Sequence, residues 1–246
     1  MNSCLRKEQS MFGKIHEIYD SISGEGISQG IPTQFIRFAG CSLRCGKVGD
    51  KKLWCDTPYA LGPDQGEQKS LEEILERLSQ NDPLHQKQII ITGGEPLEGK
   101  NGLLTRSLSD HIFRFRTEKQ FAYPAARIET NGKEEIDEQP SRVFTMDYKL
   151  PGSGMESEMH LENFEILKKR HNSLDEIKFV VRDRIDFQRS LEILHEKKPD
   201  TNILFSPVHE DLDAIELVEW LKVANPPKSR LSLQIHKFLW GNKKGV

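Results

Sequence analysis

The chain has 246 residues and a formal net charge of −3, with 36% hydrophobic and 30% charged residues. That is length enough for a substantial core under a heavily solvated surface, with no basic excess to steer it toward nucleic acid or an acidic membrane. No stretch approaches transmembrane length, residues 1–8 carry no apolar leader, and three clustered cysteines of four argue against a disulfide framework, so a reducing cytoplasm is expected.

In chain order, β-rich runs are predicted at 33–38, 88–92, 126–130, 143–147, 176–181, 202–205 and 231–235. Helical patterns lie between them. Ser70-Leu71-Glu72-Glu73 is a capping box opening a helix with Leu71, Ile74 and Leu78 on one face. Residues 164–170, 186–196 and 213–224 read similarly, the last with Ile215, Leu217, Val218 and Leu221 as its apolar stripe. Pro-Gly-Ser-Gly at 151–154 and Asn225-Pro226-Pro227 read as loops within one domain. Repeated β-then-α spacing implies crossover connections and a mainly parallel sheet. Six or seven strands are too few to close an eight-stranded barrel, so the expected fold is α/β: a single-domain partial (open) parallel β/α barrel over 1–246, with residues 1–12 as an N-terminal extension. Such sheets bind ligands at the C-terminal ends of their strands.

Cys41, Cys45 and Cys55 fall within fifteen residues, while Cys4 stands apart with no ligand-like spacing around it. Grouped thiolates suit zinc or an iron–sulfur cluster. A structural zinc closes with a fourth protein ligand and an electron-transfer cluster takes four cysteines, so three leave one metal position open to a non-protein group. The strand at 88–92 runs into Gly93-Gly94-Glu95-Pro96, where two glycines permit close backbone approach and a carboxylate accepts from an ammonium group. By itself that run is also an ordinary glycine turn.

Together, Cys-x3-Cys with a third cysteine and a downstream Thr-Gly-Gly-Glu-Pro resemble the radical S-adenosylmethionine superfamily. The resemblance implies a 4Fe–4S cluster on Cys41, Cys45 and Cys55, with S-adenosylmethionine on the fourth iron and its methionine amino end against Gly93, Gly94 and Glu95. Reduction then cleaves the sulfonium to a 5′-deoxyadenosyl radical. Seven further segments narrow the match: Ser23-Gly24-Glu25-Gly26, Phe35-Ile36-Arg37-Phe38-Ala39-Gly40-Cys41, Cys55-Asp56-Thr57-Pro58-Tyr59-Ala60, Glu129-Thr130-Asn131-Gly132, Asp147-Tyr148-Lys149, Lys178-Phe179-Val180-Val181 and Gln234-Ile235-His236-Lys237. From about residue 13 to 240 the chain resembles the 7-carboxy-7-deazaguanine synthase family. This implies ring contraction of 6-carboxy-5,6,7,8-tetrahydropterin with loss of ammonia, a magnesium requirement, a homodimer, and a place in queuosine or related deazapurine synthesis.

Two departures stand out. Ser23 occupies the position where the family usually carries glutamine. The spacer between the second and third cysteines is nine residues, 46–54, read as an inserted loop that returns Cys55 to the same place.

The resemblance assigns roles that each have a plainer alternative. Thr57 gives a hydroxyl to magnesium, a hard ion that keeps several waters, or it is a turn residue before Pro58. Glu25 accepts from the N–H edge of the pterin and Arg37 forks its carboxylate; a structural ion pair is the alternative for Arg37, a costly mid-strand charge. Ile22, Ser23, Gly24, Thr92 and His236 complete the substrate set, His236 being otherwise a satisfied structural histidine. Asp56, Asp147, Tyr148 and Lys149 are assigned to S-adenosylmethionine. Lys47, Lys51 and Lys52 form either a docking surface for an acidic electron donor such as flavodoxin or a solvated loop. Two rivals remain: an activase that generates a glycyl radical on a partner protein, and a non-catalytic zinc protein completed by His16 or His236.

Overall fold

The computed structural model describes residues 11–46, 53–208, 211–241, 243 and 245. Cys4 and the three loop lysines, Lys47, Lys51 and Lys52, lie outside the described residues.

The strands are β1 (Phe12–Ile22), β2 (Pro32–Phe38), β3 (Glu67–Ser70), β4 (Gln88–Gly93), β5 (Ala126–Thr130), β6 (Arg142–Tyr148), β7 (Glu176–Val181), β8 (Asn202–Pro207) and β9 (Ser229–Leu231). They form one sheet in the order β3-β1-β2-β4-β5-β6-β7-β8-β9. From β2 to β9 every pairing is parallel, whereas β1 pairs antiparallel with both β2 and β3. β3 and β9 end the sheet without pairing to each other, so it stays open; with nine strands and not six or seven, the openness does not come from a shortage of strands.

The helices are α1 (Leu71–Asn81), α2 (Gly99–Glu118), α3 (Asn163–Arg170), α4 (Arg184–Lys197), α5 (Ala214–Ala224) and α6 (Ile235–Trp240). The capping box forms as predicted: Ser70 Oγ accepts from Glu73 N at 3.3 Å, and Glu73 Oε2 accepts from Ser70 N at 2.7 Å. The helix it opens buries Leu71, Ile74 and Leu78. Asp183 and Asp213 cap α4 and α5 through their carboxylates. Central strands such as β4 are covered on both faces, with Ile89, Ile90 and Ile91 all buried. Among the described residues no helix is long and apolar enough to cross a membrane.

Three expectations need correction. The predicted strand at 231–235 ends at Leu231, and Ile235 opens α6, so His236 sits in a helical first turn. In α5 Leu217 is fully buried, but Ile215 is 72% exposed and does not belong to the apolar stripe. β1, β3 and α2 were not predicted. In β1 the period of two is broken: Ile15 pairs with Phe38 and Glu17 with Arg37, leaving His16 as an extra, bulged residue. In α2 the inward face mixes Leu104, Leu108 and Ile112 with buried Asn101, Thr105 and Ser109, and no side chain caps its start. Gly102 adds a second glycine there, needed because a β-carbon would lie 2.2 Å from the Leu97 carbonyl oxygen.

Candidate active site

Gly93 and Gly94, at the exit of β4, bring two backbones together. Gly93 has φ +125°, and a β-carbon on it would lie 2.3 Å from the Phe38 carbonyl; one on Gly94 would lie 2.2 Å from the Gly40 carbonyl. Gly94 N donates to Phe38 O at 2.8 Å and Glu95 N to Gly40 O at 2.7 Å. The glycines thus seat the turn against the backbone that leads into Cys41.

Beside this turn, at the C-terminal ends of the parallel strands, lies a cavity of about 550 Å3. Cys41, Cys45 and Cys55 all line it, and all three are free thiols. The two ends of the long spacer meet, because Trp54 N donates to Cys45 O at 3.2 Å and so returns Cys55 to the neighbourhood of Cys45. Asn131 Nδ2 lies 3.5 Å from Cys41 Sγ, and Thr57 Oγ1 lies 3.6 Å from Cys55 Sγ. Burial pushes all three thiols up, Cys41 to about 11 despite donors from Leu43 and Asn131.

Glu95 is 1% exposed and does not reach the cavity. Its Oε1 accepts from Thr130 Oγ1 at 2.8 Å and Leu97 N at 2.9 Å, and its Oε2 accepts from Asn131 N at 2.7 Å. Burial raises its pKa to about 7, with those three donors pulling the other way. What Glu95 fixes directly is the Thr130–Asn131 turn beyond β5, whose Asn131 meets Cys41. Tyr148 is also turned away, 3% exposed and packed against Phe164 and Phe179. Ser23 is 2% exposed, its hydroxyl shared between Ser28 Oγ at 2.9 Å and Glu25 O at 3.2 Å, so it points to its own loop and not to the cavity.

The other sequence-assigned residues, Ile22, Gly24, Glu25, Arg37, Asp56, Thr57, Thr92, Gly93, Gly94, Asp147, Lys149 and His236, do line the cavity. A chain of charges connects several of them. Glu25 Oε2 pairs with Lys178 Nζ at 2.9 Å and its Oε1 accepts from Gln234 Nε2 at 2.6 Å. Lys178 also lies 3.7 Å from Asp147 Oδ2, which pairs with Lys149 at 2.8 Å. Burial works to raise the Glu25 pKa, but Lys178, Gln234 and His236 overcome it and hold the carboxyl at about 2. Lys149 and Lys178 are raised against the burial effect by their carboxylate neighbours. Glu129, with Thr92 as hydrogen-bond donor, is raised by burial. Among the described residues Asp147 Oδ1 is buried without a hydrogen-bond partner. Burial lowers the His236 pKa, with Glu25 and Asp56 pulling the other way.

Arg37 pairs with Glu17 through Nε at 2.8 Å and with the Tyr19 hydroxyl through Nη2 at 2.7 Å. Sequence reading assigned no part to Glu17, Tyr19, Tyr59, Glu129, Asn131, Lys178 or Gln234. Five of these fall inside the quoted family segments, so position was the available signal; Glu17 and Tyr19 lie on the bulged strand that periodicity concealed.

The donor set fits a cluster with an open iron. Three thiols line one cavity with polar hydrogens beside two of them, and the half-buried Lys149 lies close enough to Cys45 to favour its thiolate. Among the described residues no three His, Cys, Asp or Glu side chains are gathered to hold a single metal ion, zinc or magnesium alike. His16, one proposed fourth ligand, turns its Nδ1 to the Gln65 carbonyl at 2.6 Å.

No family model matches the chain. The chain is 53% identical over 232 residues to the 7-carboxy-7-deazaguanine synthase of Leptospira interrogans, covering 94% of this chain and 97% of that one. The Clostridium acetobutylicum 7-carboxy-7-deazaguanine synthase is 36% identical over 243 residues, covering 95% and 99%. The crystal structure of QueE from Escherichia coli shares the fold, with a TM-score of 0.68 at 23% identity over 95% of this chain and 98% of that one. With likeness at that identity running nearly end to end, the chain belongs to the 7-carboxy-7-deazaguanine synthase family.

Proposed function

We propose that the chain converts 6-carboxy-5,6,7,8-tetrahydropterin to 7-carboxy-7-deazaguanine, with a 4Fe–4S cluster on Cys41, Cys45 and Cys55 and S-adenosylmethionine beside it. When bound, that pair supplies hydrogen-atom abstraction. The observation that carries the reading is that one cavity holds both the three thiols and the Glu25, Arg37 and His236 set.

The chain's own part is to hold and shield. Glu25, kept ionised by Lys178, retains lone pairs for the N–H donors of a pterin edge even with Lys178 and Gln234 in place. Glu129 offers a second carboxylate from β5, with Thr92 beside it. Arg37 offers a guanidinium to the substrate's carboxylate. His236, opposite Gly24, closes this side of the cavity. The unpartnered Asp147 Oδ1 suits the hydroxyl groups of a nucleoside, beside Lys149. Gly93 and Gly94 line the cavity with backbone, where an amino acid's polar end has room to approach. Magnesium would take the Thr57 hydroxyl with waters and substrate oxygens completing its shell. A reductant such as flavodoxin and pairing into a homodimer follow from the family resemblance.

Anaerobic incubation with the pterin, S-adenosylmethionine, magnesium and dithionite, followed by mass analysis, tests this. The expected result is 7-carboxy-7-deazaguanine together with 5′-deoxyadenosine. Unconsumed pterin in reconstituted, iron-loaded protein would count against it and return the glycyl-radical activase to consideration.

A further inference from the structure

Arg37 is gripped along one edge by residues of the neighbouring strand. Nε donates to Glu17 Oε1 at 2.8 Å and Nη2 to the Tyr19 hydroxyl at 2.7 Å. The guanidinium carbon lies 5.7 Å from the Tyr19 ring centroid and 5.8 Å from that of Tyr59. Nη1 makes no hydrogen bond among the described residues, and Arg37 lines the cavity.

This grip depends on the bulge. Continued regularly from Ile15↔Phe38, the β1–β2 register would set His16 opposite Arg37, Glu17 opposite Ile36 and Tyr19 opposite Gln34. Opposed residues share a face of the sheet, so both side chains would then lie on the face away from Arg37. The extra residue shifts the pairing to Glu17↔Arg37 and Tyr19↔Phe35 and turns both toward the guanidinium. The displaced His16 is used as well: its ring lies 5.1 Å from that of Tyr59, the second ring against the Arg37 guanidinium.

We infer that Glu17 and Tyr19 are positioning residues for substrate recognition, fixing Arg37 so that its Nη1 end meets the carboxylate of the bound pterin. The inference rests on the reading of Arg37 as the contact for that carboxylate. A preformed guanidinium loses less freedom on binding than a mobile one. Glu17 and Tyr19 occupy the Nε–Nη2 edge, which leaves the opposite end for the ligand. The rival account makes Glu17 a competitor that neutralises Arg37 and must be displaced, and it predicts the opposite sign on removal.

The test is calorimetric binding of the pterin, and of the same pterin lacking its carboxylate, to anaerobic holoenzyme with S-adenosylmethionine present. Glu17→Ala should weaken binding of the carboxylated pterin by about tenfold or more, while affinity for S-adenosylmethionine and for the decarboxylated analogue stays at wild-type values. Glu17→Asp should recover most of the loss, and Tyr19→Phe, which removes one hydroxyl, should cost a smaller factor of the same selectivity. Unchanged or tighter binding in Glu17→Ala, or equal loss for both pterins, overturns the inference. Arg37→Ala separates the two levels: wild-type affinity in that variant removes the assignment of Arg37 itself, whereas a loss there without one in Glu17→Ala or Tyr19→Phe removes only the positioning role.

Discussion

Lys178, from the middle of β7, donates to Glu25 across 2.9 Å and so ties the sheet to the loop that follows β1. The pair sets a pH dependence. Burial raises the Glu25 pKa and Lys178 opposes it, leaving it at about 2 against a usual 4.5. A carboxyl depressed on folding contributes stability that is present above its unfolded pKa and lost as pH falls toward its folded one. Wild-type melting temperature should therefore drop as pH falls from about 4.5 to about 2. Calorimetry of Lys178→Met should show a lower melting temperature at pH 7 and a shallower fall across that window. Lys178 itself is raised above its usual 10.5, so its share is present below that pH and lost above it.

Gly94→Ala should damage both fold and metal binding. The added β-carbon would lie 2.2 Å from the Gly40 carbonyl oxygen and 2.6 Å from its carbon, backbone that has no rotamer to swing away. Overpacking of this kind costs about 1–3 kcal/mol. The displaced strand exit would carry Gly40, and with it Cys41, out of place. Denaturant unfolding should show the stability loss, and reconstituted iron per chain should fall below wild type.

These glycines illustrate what the sequence could and could not carry. The Gly-Gly-Glu-Pro run was legible as a site feature, since a paired glycine after a buried strand marks a close approach. What it approaches was not legible: the protein's own Phe38–Gly40 backbone meets the missing β-carbons, and Glu95 serves the Thr130–Asn131 turn. The parallel strands were readable because β4 and its neighbours are short apolar runs at regular spacing. β1 escaped because its bulge puts Ile15 and Ile18 out of step, and α2 because polar residues share its inward face. Pairings such as Glu17 with Arg37 or Lys178 with Glu25 join positions 20 and 153 residues apart, which no local pattern encodes.

Gly24→Ala should mimic loss of His236. A β-carbon at Gly24 would lie 2.2 Å from His236 Nδ1, and the imidazole, at the start of a short helix, is what gives way. Both Gly24→Ala and His236→Ala should weaken pterin binding by about tenfold while uncoupled S-adenosylmethionine cleavage remains measurable. The double variant should cost little more than either single one, because both remove the same contact. Glu25→Gln should also weaken the pterin, and wild-type turnover there would mean that the pterin edge is bound elsewhere.

At the three thiols metal binding and catalysis can be measured separately. Burial holds the Cys41 thiol at about 11 and raises those of Cys45 and Cys55, so in metal-free protein they are protonated at neutral pH. Thiolate is the reactive form, so alkylation of the metal-free protein should be slow near pH 7 and accelerate as pH rises. Loading with iron and sulfide must expel those protons, which makes cluster assembly release acid and run better at higher pH. Cys45→Ala removes one of three ligands and should hold well under the expected four irons, with no 5′-deoxyadenosine formed. Fast alkylation at pH 7 in the metal-free wild type, or a full iron complement in Cys45→Ala, would show that the thiols do not sit as described.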